Sequence, residues 1–94
     1  MPYIKHSERQ RFAAALAAIE SNVPHGPGEL NYLISSILCL YSRQSPLNYA
    51  RINEIIGAMD AAKLEFYRRV AAPYEDTKVA ENGDVYMKEF VTAP

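Results

Sequence analysis

Two short stretches of this chain bring cations and tyrosines close together. Lys5, His6, Arg9 and Arg11 crowd the start of the first helical segment, just after Tyr3. Lys63, Tyr67, Arg68 and Arg69 follow one another near the end of the longest segment, and Tyr74 comes soon after. A guanidinium beside an aromatic ring can stack on a base and clamp a phosphate at once. The free N–H groups of a helix start also favour anions. On this reading Tyr3, Lys5, Arg9, Lys63, Tyr67, Arg68 and Tyr74 are the candidate ligand-binding residues, and the ligand is a planar anion. Each group also has a plain structural account. Glu8 offsets part of the first cluster. Cations near a helix C-terminus complement its dipole, and Glu65 can pair with Arg69 one turn on.

No residue pattern points to catalysis. His6 and His25 lie on different segments without metal-ligand spacing. Cys39 sits inside the most apolar segment, where a buried inert thiol is expected. Glu75 and Asp76 are adjacent acids after Pro73, a pattern that is usually solvated. No phosphate loop or GxGxxG is present. A helix-turn-helix reading fails because the third helix is too apolar at its start to enter a groove. The expectation is a binding protein, not an enzyme, with no catalytic residue, metal or cofactor.

Composition narrows the class. The 94 residues suffice for one domain, 49% are hydrophobic and 22% charged, which is ordinary globular usage. The net charge of −1 argues against generic nucleic-acid binding through a basic surface. The charge is uneven: eight Lys/Arg stand against six Asp/Glu up to Tyr74, and two against five after it. The apolar runs fall short of a membrane span, and Met1 to Lys5 lack a signal-peptide pattern. A single cysteine excludes an internal disulfide framework. The chain is therefore expected in the cytoplasm.

The elements that position these residues are helices. Ser7 with Gln10 matches a capping box, so helix one is expected to start there. Phe12, Leu16, Ile19 and Val23 recur at helical spacing among alanines that permit close approach of another helix. Pro24, Gly26, Pro27 and Gly28 end it. Helix two is expected from about Glu29 to Ser42, with the stripe Leu30, Leu33, Ile34, Ile37, Leu38 and Tyr41. It is apolar over more than half its girth, which makes it either central or shared with a second subunit. Asn48 is a good N-cap for helix three, expected from Tyr49 to Ala72 with the face Ile52, Ile55, Ile56, Met59, Ala62, Phe66 and Val70. Its 24 or so residues span roughly 36 Å, long for a monomer of this size. Gly57 costs about 1 kcal/mol mid-helix and suggests close passage of another backbone. Pro73 is expected to stop the helix, and Asn82-Gly83 to turn a short hairpin. The fold expected is all-α: one domain over residues 1–94, a three-helix body over 7–72 with a long third helix, and a hairpin or extended tail over 73–94.

The segment from Lys63-Leu64-Glu65-Phe66-Tyr67-Arg68-Arg69 through Ala72-Pro73-Tyr74-Glu75-Asp76 to Glu81-Asn82-Gly83-Asp84-Val85-Tyr86 resembles a family of small uncharacterised proteins of bacteriophage, prophage and bacterial genomes. Pro2-Tyr3-Ile4-Lys5, Gly28-Glu29-Leu30-Asn31-Tyr32 and Ile52-Asn53-Glu54-Ile55-Ile56-Gly57 are similar to it too. The resemblance implies a phage setting inside a bacterial host cell and carries no site residues with it. At the level of analogy, length and helix order resemble the phage anti-CBASS sponges that sequester cyclic dinucleotides.

Two functions fit these features. In the first, a homo-oligomer assembled through helices two and three sequesters a cyclic nucleotide or other nucleotide-derived immune signal without turnover, between the basic-aromatic clusters. In the second, the chain is a protein-interaction module, an adaptor or inhibitor of a host protein. Any ligand is expected at the Lys63 to Tyr74 end, facing the basic start of helix one from the same or a neighbouring chain.

Overall fold

The computed structural model describes residues 2–91. All regular structure among them is helical, as expected for an all-α chain. The Cα positions divide into two compact units, Met1–Met59 and Asp60–Pro94.

In the first unit, α1 covers His6–Arg9, a 3-10 turn covers Gln10–Phe12, and α2 covers Ala13–Ser21. The expected capping box is not formed: Lys5 holds the N-cap position, without a side-chain cap, and its carbonyl accepts from Glu8 N–H at 2.9 Å. The helix α3, Gly26–Ser42, begins three residues before the expected start. Gly26 adopts a φ of 84° that only glycine enters freely, and Pro27 follows in the first turn, where its missing N–H costs nothing. Glu29, at the end of the first turn, reaches back to accept the N–H of the N-cap residue His25 at 2.8 Å.

The helix α4, Tyr49–Phe66, starts as expected on Asn48. Its Oδ1 accepts Arg51 N–H at 2.9 Å. Gly57 has no close neighbour: a methyl group built on it meets nothing within 4 Å. The expected backbone approach is therefore absent in the isolated chain. Gly57→Ala is expected to raise stability by about 1 kcal/mol, read as a higher urea midpoint at unchanged slope.

In the second unit the helix does not stop at Pro73. A π-helical turn at Tyr67–Ala71 leads directly into α5, Ala72–Asn82, so the whole run from α4 is about 34 residues. Pro73 has no N–H to donate, and in a regular α-helix its ring would collide with the Arg69 carbonyl. The wider turn relieves this, with Ala72 N–H donating to Tyr67 C=O five residues back. The expected hairpin is also absent, since no strand occurs among the described residues. Asn82 ends α5 and Gly83, at φ 88°, caps it, its N–H donating to Val79 C=O at 2.8 Å. Asp84 Oδ1 then accepts Tyr86 N–H at 2.9 Å in an Asx turn. A 3-10 turn at Lys88–Phe90 follows. Of the expected tail, residues 92–94 lie outside the described residues.

Neither unit has a core of its own. No described residue is buried, and Leu16, Tyr32 and Phe66 remain 61%, 74% and 65% exposed. The least exposed large aliphatic positions, Ile19, Leu33, Ile34, Leu38, Ile55 and Met59, are only half-buried. Cys39, expected to be buried, is exposed, because nothing covers its face of α3.

Candidate functional site

The first unit holds an apolar groove of about 620 Å³, lined by Pro2, Tyr3, Ile4, Arg9, Phe12, Ala15, Leu16, Ile19 and Ile37. The N-terminal segment, turned at Tyr3 by Ile4 N–H donating to Pro2 C=O at 3.1 Å, forms one wall. Arg9 fixes it there, its Nε donating to Ile4 C=O at 2.7 Å. The groove thus brings together two of the expected site residues, Tyr3 and Arg9, while Lys5 does not line it. The guanidinium of Arg11 lies over the Phe12 ring at 4.9 Å. Phe12, Leu16 and Ile19 read as core residues from their spacing. Spacing alone cannot tell a covered apolar face from an open one.

In the second unit each expected cation or tyrosine meets a local partner. Lys63 Nζ is 3.9 Å from Asp60, and Arg68 Nη2 is 2.6 Å from Glu65, whose side chain is the more sheltered of the two. Lys78 lies over the Tyr74 ring at 5.5 Å. Tyr67 donates its hydroxyl to Glu75 across the π-turn. This cluster is therefore not a bare positive patch. Of its members only Tyr67 lines the groove of this unit, about 540 Å³ bounded also by Glu75, Asp76, Lys78, Asp84, Tyr86 and Val91. Three of those side chains are acidic and one is basic, which repels rather than recruits an anion.

Glu75 holds the Tyr67 phenol above its ordinary pKa near 10, first by accepting its hydrogen bond and then by its negative charge. A phenol with a raised folded pKa stabilises the fold below the unfolded value, and that contribution is lost as pH rises through the folded one. Absorbance titration near 295 nm is expected to show a tyrosine ionising above pH 10 that moves down in Glu75→Gln and vanishes in Tyr67→Phe. A titration unchanged by either substitution would remove this contact.

Several segments quoted above for their family resemblance carry local structure. Glu29 caps α3, Gly83 and Asp84 turn the chain after α5, and Tyr67 with Glu75 brackets the π-turn that admits Pro73. Residues 1–85 match the family described as a domain of unknown function, DUF6899. The chain belongs to the DUF6899 family. No curated protein and no solved structure matches it. Among the described residues no group of His, Cys, Asp and Glu is placed to hold a metal ion, and no helix is long and apolar enough to cross a membrane.

Proposed function

We propose that this DUF6899 protein is a non-catalytic interaction module that works as an assembly of its own copies and engages a host protein as adaptor or inhibitor. The observation that carries this reading is the exposure of large apolar side chains on every long helix, with no described residue buried. Open apolar faces of this extent are what interfaces are made from. The start of α4 is capped by Asn48, α3 begins with Glu29 accepting His25 N–H, and the π-turn accommodates Pro73, so these helices hold their form without a covered face. In the phage setting that the resemblance implies, the partner is a protein of the bacterial host. Capture from host lysate on tagged wild type and on Tyr32→Arg, which alters an open face of α3, tests the reading. The expected result is one stoichiometric host protein, lost in the variant. Equal capture by both, or none, counts against it.

The nucleotide-sponge reading keeps one supporting observation. Tyr3 and Arg9 line one groove, and Lys5 and Arg11 lie close to them in sequence. Against it, Lys63 and Arg68 are offset by Asp60 and Glu65. A thermal-shift screen with cyclic dinucleotides, cyclic oligoadenylates and ADP-ribose derivatives separates the readings. Stoichiometric binding without turnover, lost in Arg9→Ala, would favour the sponge.

A further inference from the structure

A helix can carry a proline such as Pro73 in two ways. The axis can kink away from the carbonyl four residues back, or the turn before the proline can widen and let the helix run on. This chain takes the second course at Tyr67–Ala71. Packing within the chain does not make that choice. Tyr67, Val70 and Tyr74 are 51%, 51% and 62% exposed, and no described residue is buried. A local contact must favour the widened turn.

The Tyr67 hydroxyl donates to Glu75, and that contact depends on the width of the turn. In a regular α-helix eight residues advance about 800°, which leaves positions 67 and 75 about 80° apart around the axis. The i→i+5 bond of a π-turn takes nearly one more residue into its turn. One such turn followed by one ordinary turn holds about eight residues and sets the two positions on the same face. The backbone agrees with the side chains. Ala72 N–H donates to Tyr67 C=O and closes the wide turn on the residue whose hydroxyl reaches Glu75.

We infer that the Tyr67–Glu75 hydrogen bond is a latch that selects the widened turn over a proline kink, and so fixes how α5 is turned about the helix axis. This goes beyond the interaction reading and does not depend on it. Its consequence lies within the second unit. Among the described residues lining the groove there, Tyr67 alone precedes α5, and the others belong to α5 and the chain after it. The latch therefore holds the two sides of that groove together. Lys78, the one cation lining it, pairs with Glu81 at 3.1 Å and leaves Glu75 to the phenol.

NMR couplings through hydrogen bonds, measured on the full chain, read the acceptor of the Ala72 N–H directly. In the wild type the coupling runs to the Tyr67 carbonyl carbon. A kinked helix sends it to Arg68, four residues back. Tyr67→Phe keeps the ring, removes the donor and is expected to shift the balance toward Arg68 by about tenfold. Glu75→Ala is expected to do the same, although alanine is the better helix former. Glu75→Gln keeps an acceptor and should retain more of the Tyr67 coupling than Glu75→Ala. Pro73→Ala removes the need for the wide turn. There the coupling should move to Arg68, and the raised ionisation of Tyr67 should disappear as positions 67 and 75 part. A wild-type Tyr67 coupling in both Tyr67→Phe and Glu75→Ala overturns the latch and leaves Pro73 alone setting the turn. A Tyr67 ionisation still raised by Glu75 in a regular Pro73→Ala helix overturns the link between contact and turn.

Discussion

Dilution alone is expected to destabilise this protein. If the open faces of α2, α3 and α4 are covered only by another copy, folding and association are one equilibrium. Each tenfold dilution of a dimer then removes about 1.4 kcal/mol of stability. For a dimer of this size the melting midpoint should fall by on the order of 3–6 °C per decade of concentration. Helicity followed by circular dichroism from roughly 100 µM to roughly 0.1 µM reads this directly. A midpoint that stays constant over that range would mean that each chain covers its apolar faces unaided.

Replacing Arg51 by alanine is expected to be the most damaging change to the joint between α3 and α4. Its guanidinium gathers the carbonyls left open by the end of α3 and the following turn. Nη1 donates to Ser42 at 3.3 Å, to Pro46 at 3.2 Å and to Ser45, and Nη2 donates to Tyr41 at 3.4 Å. The same group lies over the Tyr41 ring at 5.7 Å. Hydrogen bonds from a charged donor contribute about 1.5–3 kcal/mol net, and a cation near a helix C-terminus adds to this. Arg51→Ala should therefore cost about 2–3 kcal/mol, more than the roughly 1 kcal/mol expected for Asn48→Ala at the cap beside it. Arg51→Lys should recover less than half, because an ammonium lacks the planar fork. Urea midpoints of the three variants at one protein concentration check the order. A loss for Arg51→Ala below that for Asn48→Ala would contradict it.

The helices were legible because apolar spacing and helix formers agree over long stretches, from Leu30 to Tyr41 and from Ile52 to Val70. Asn48 was legible because its side chain caps within three residues of itself. The errors came where one local signal has two physical outcomes. Asn-Gly serves a hairpin turn or a helix end, since both need a glycine at positive φ, and the long helix before Gly83 decided for the helix end. Proline stops a helix or passes through a widened turn, and the π-turn at Tyr67–Ala71 took the second course. Ser7 and Gln10 have the spacing of a capping box, but the helix starts one residue earlier and runs into a 3-10 turn at Gln10. Arg51 carried no sequence signal, because its partners are backbone carbonyls that any residues would supply.

For the candidate site, sequence found residue types but not their surroundings. Tyr3 and Arg9 do share a groove. Lys63 and Arg68 have Asp60 and Glu65 one turn away, a spacing visible in the sequence that turns each cation into half of an ion pair. Cys39 shows the deeper difficulty. Its apolar helix predicts burial, yet burial depends on what covers the helix, and the helix's own sequence does not carry that.

The mass of the assembled protein tests the central claim most directly. Light scattering on the full chain at roughly 50 µM, where mass action favours association, should give a whole multiple of 10.6 kDa, at least twofold. The same sample should be helical and melt cooperatively. A cooperatively folded species at 10.6 kDa would contradict the account, because such a chain would have to cover by itself the faces that stand open here.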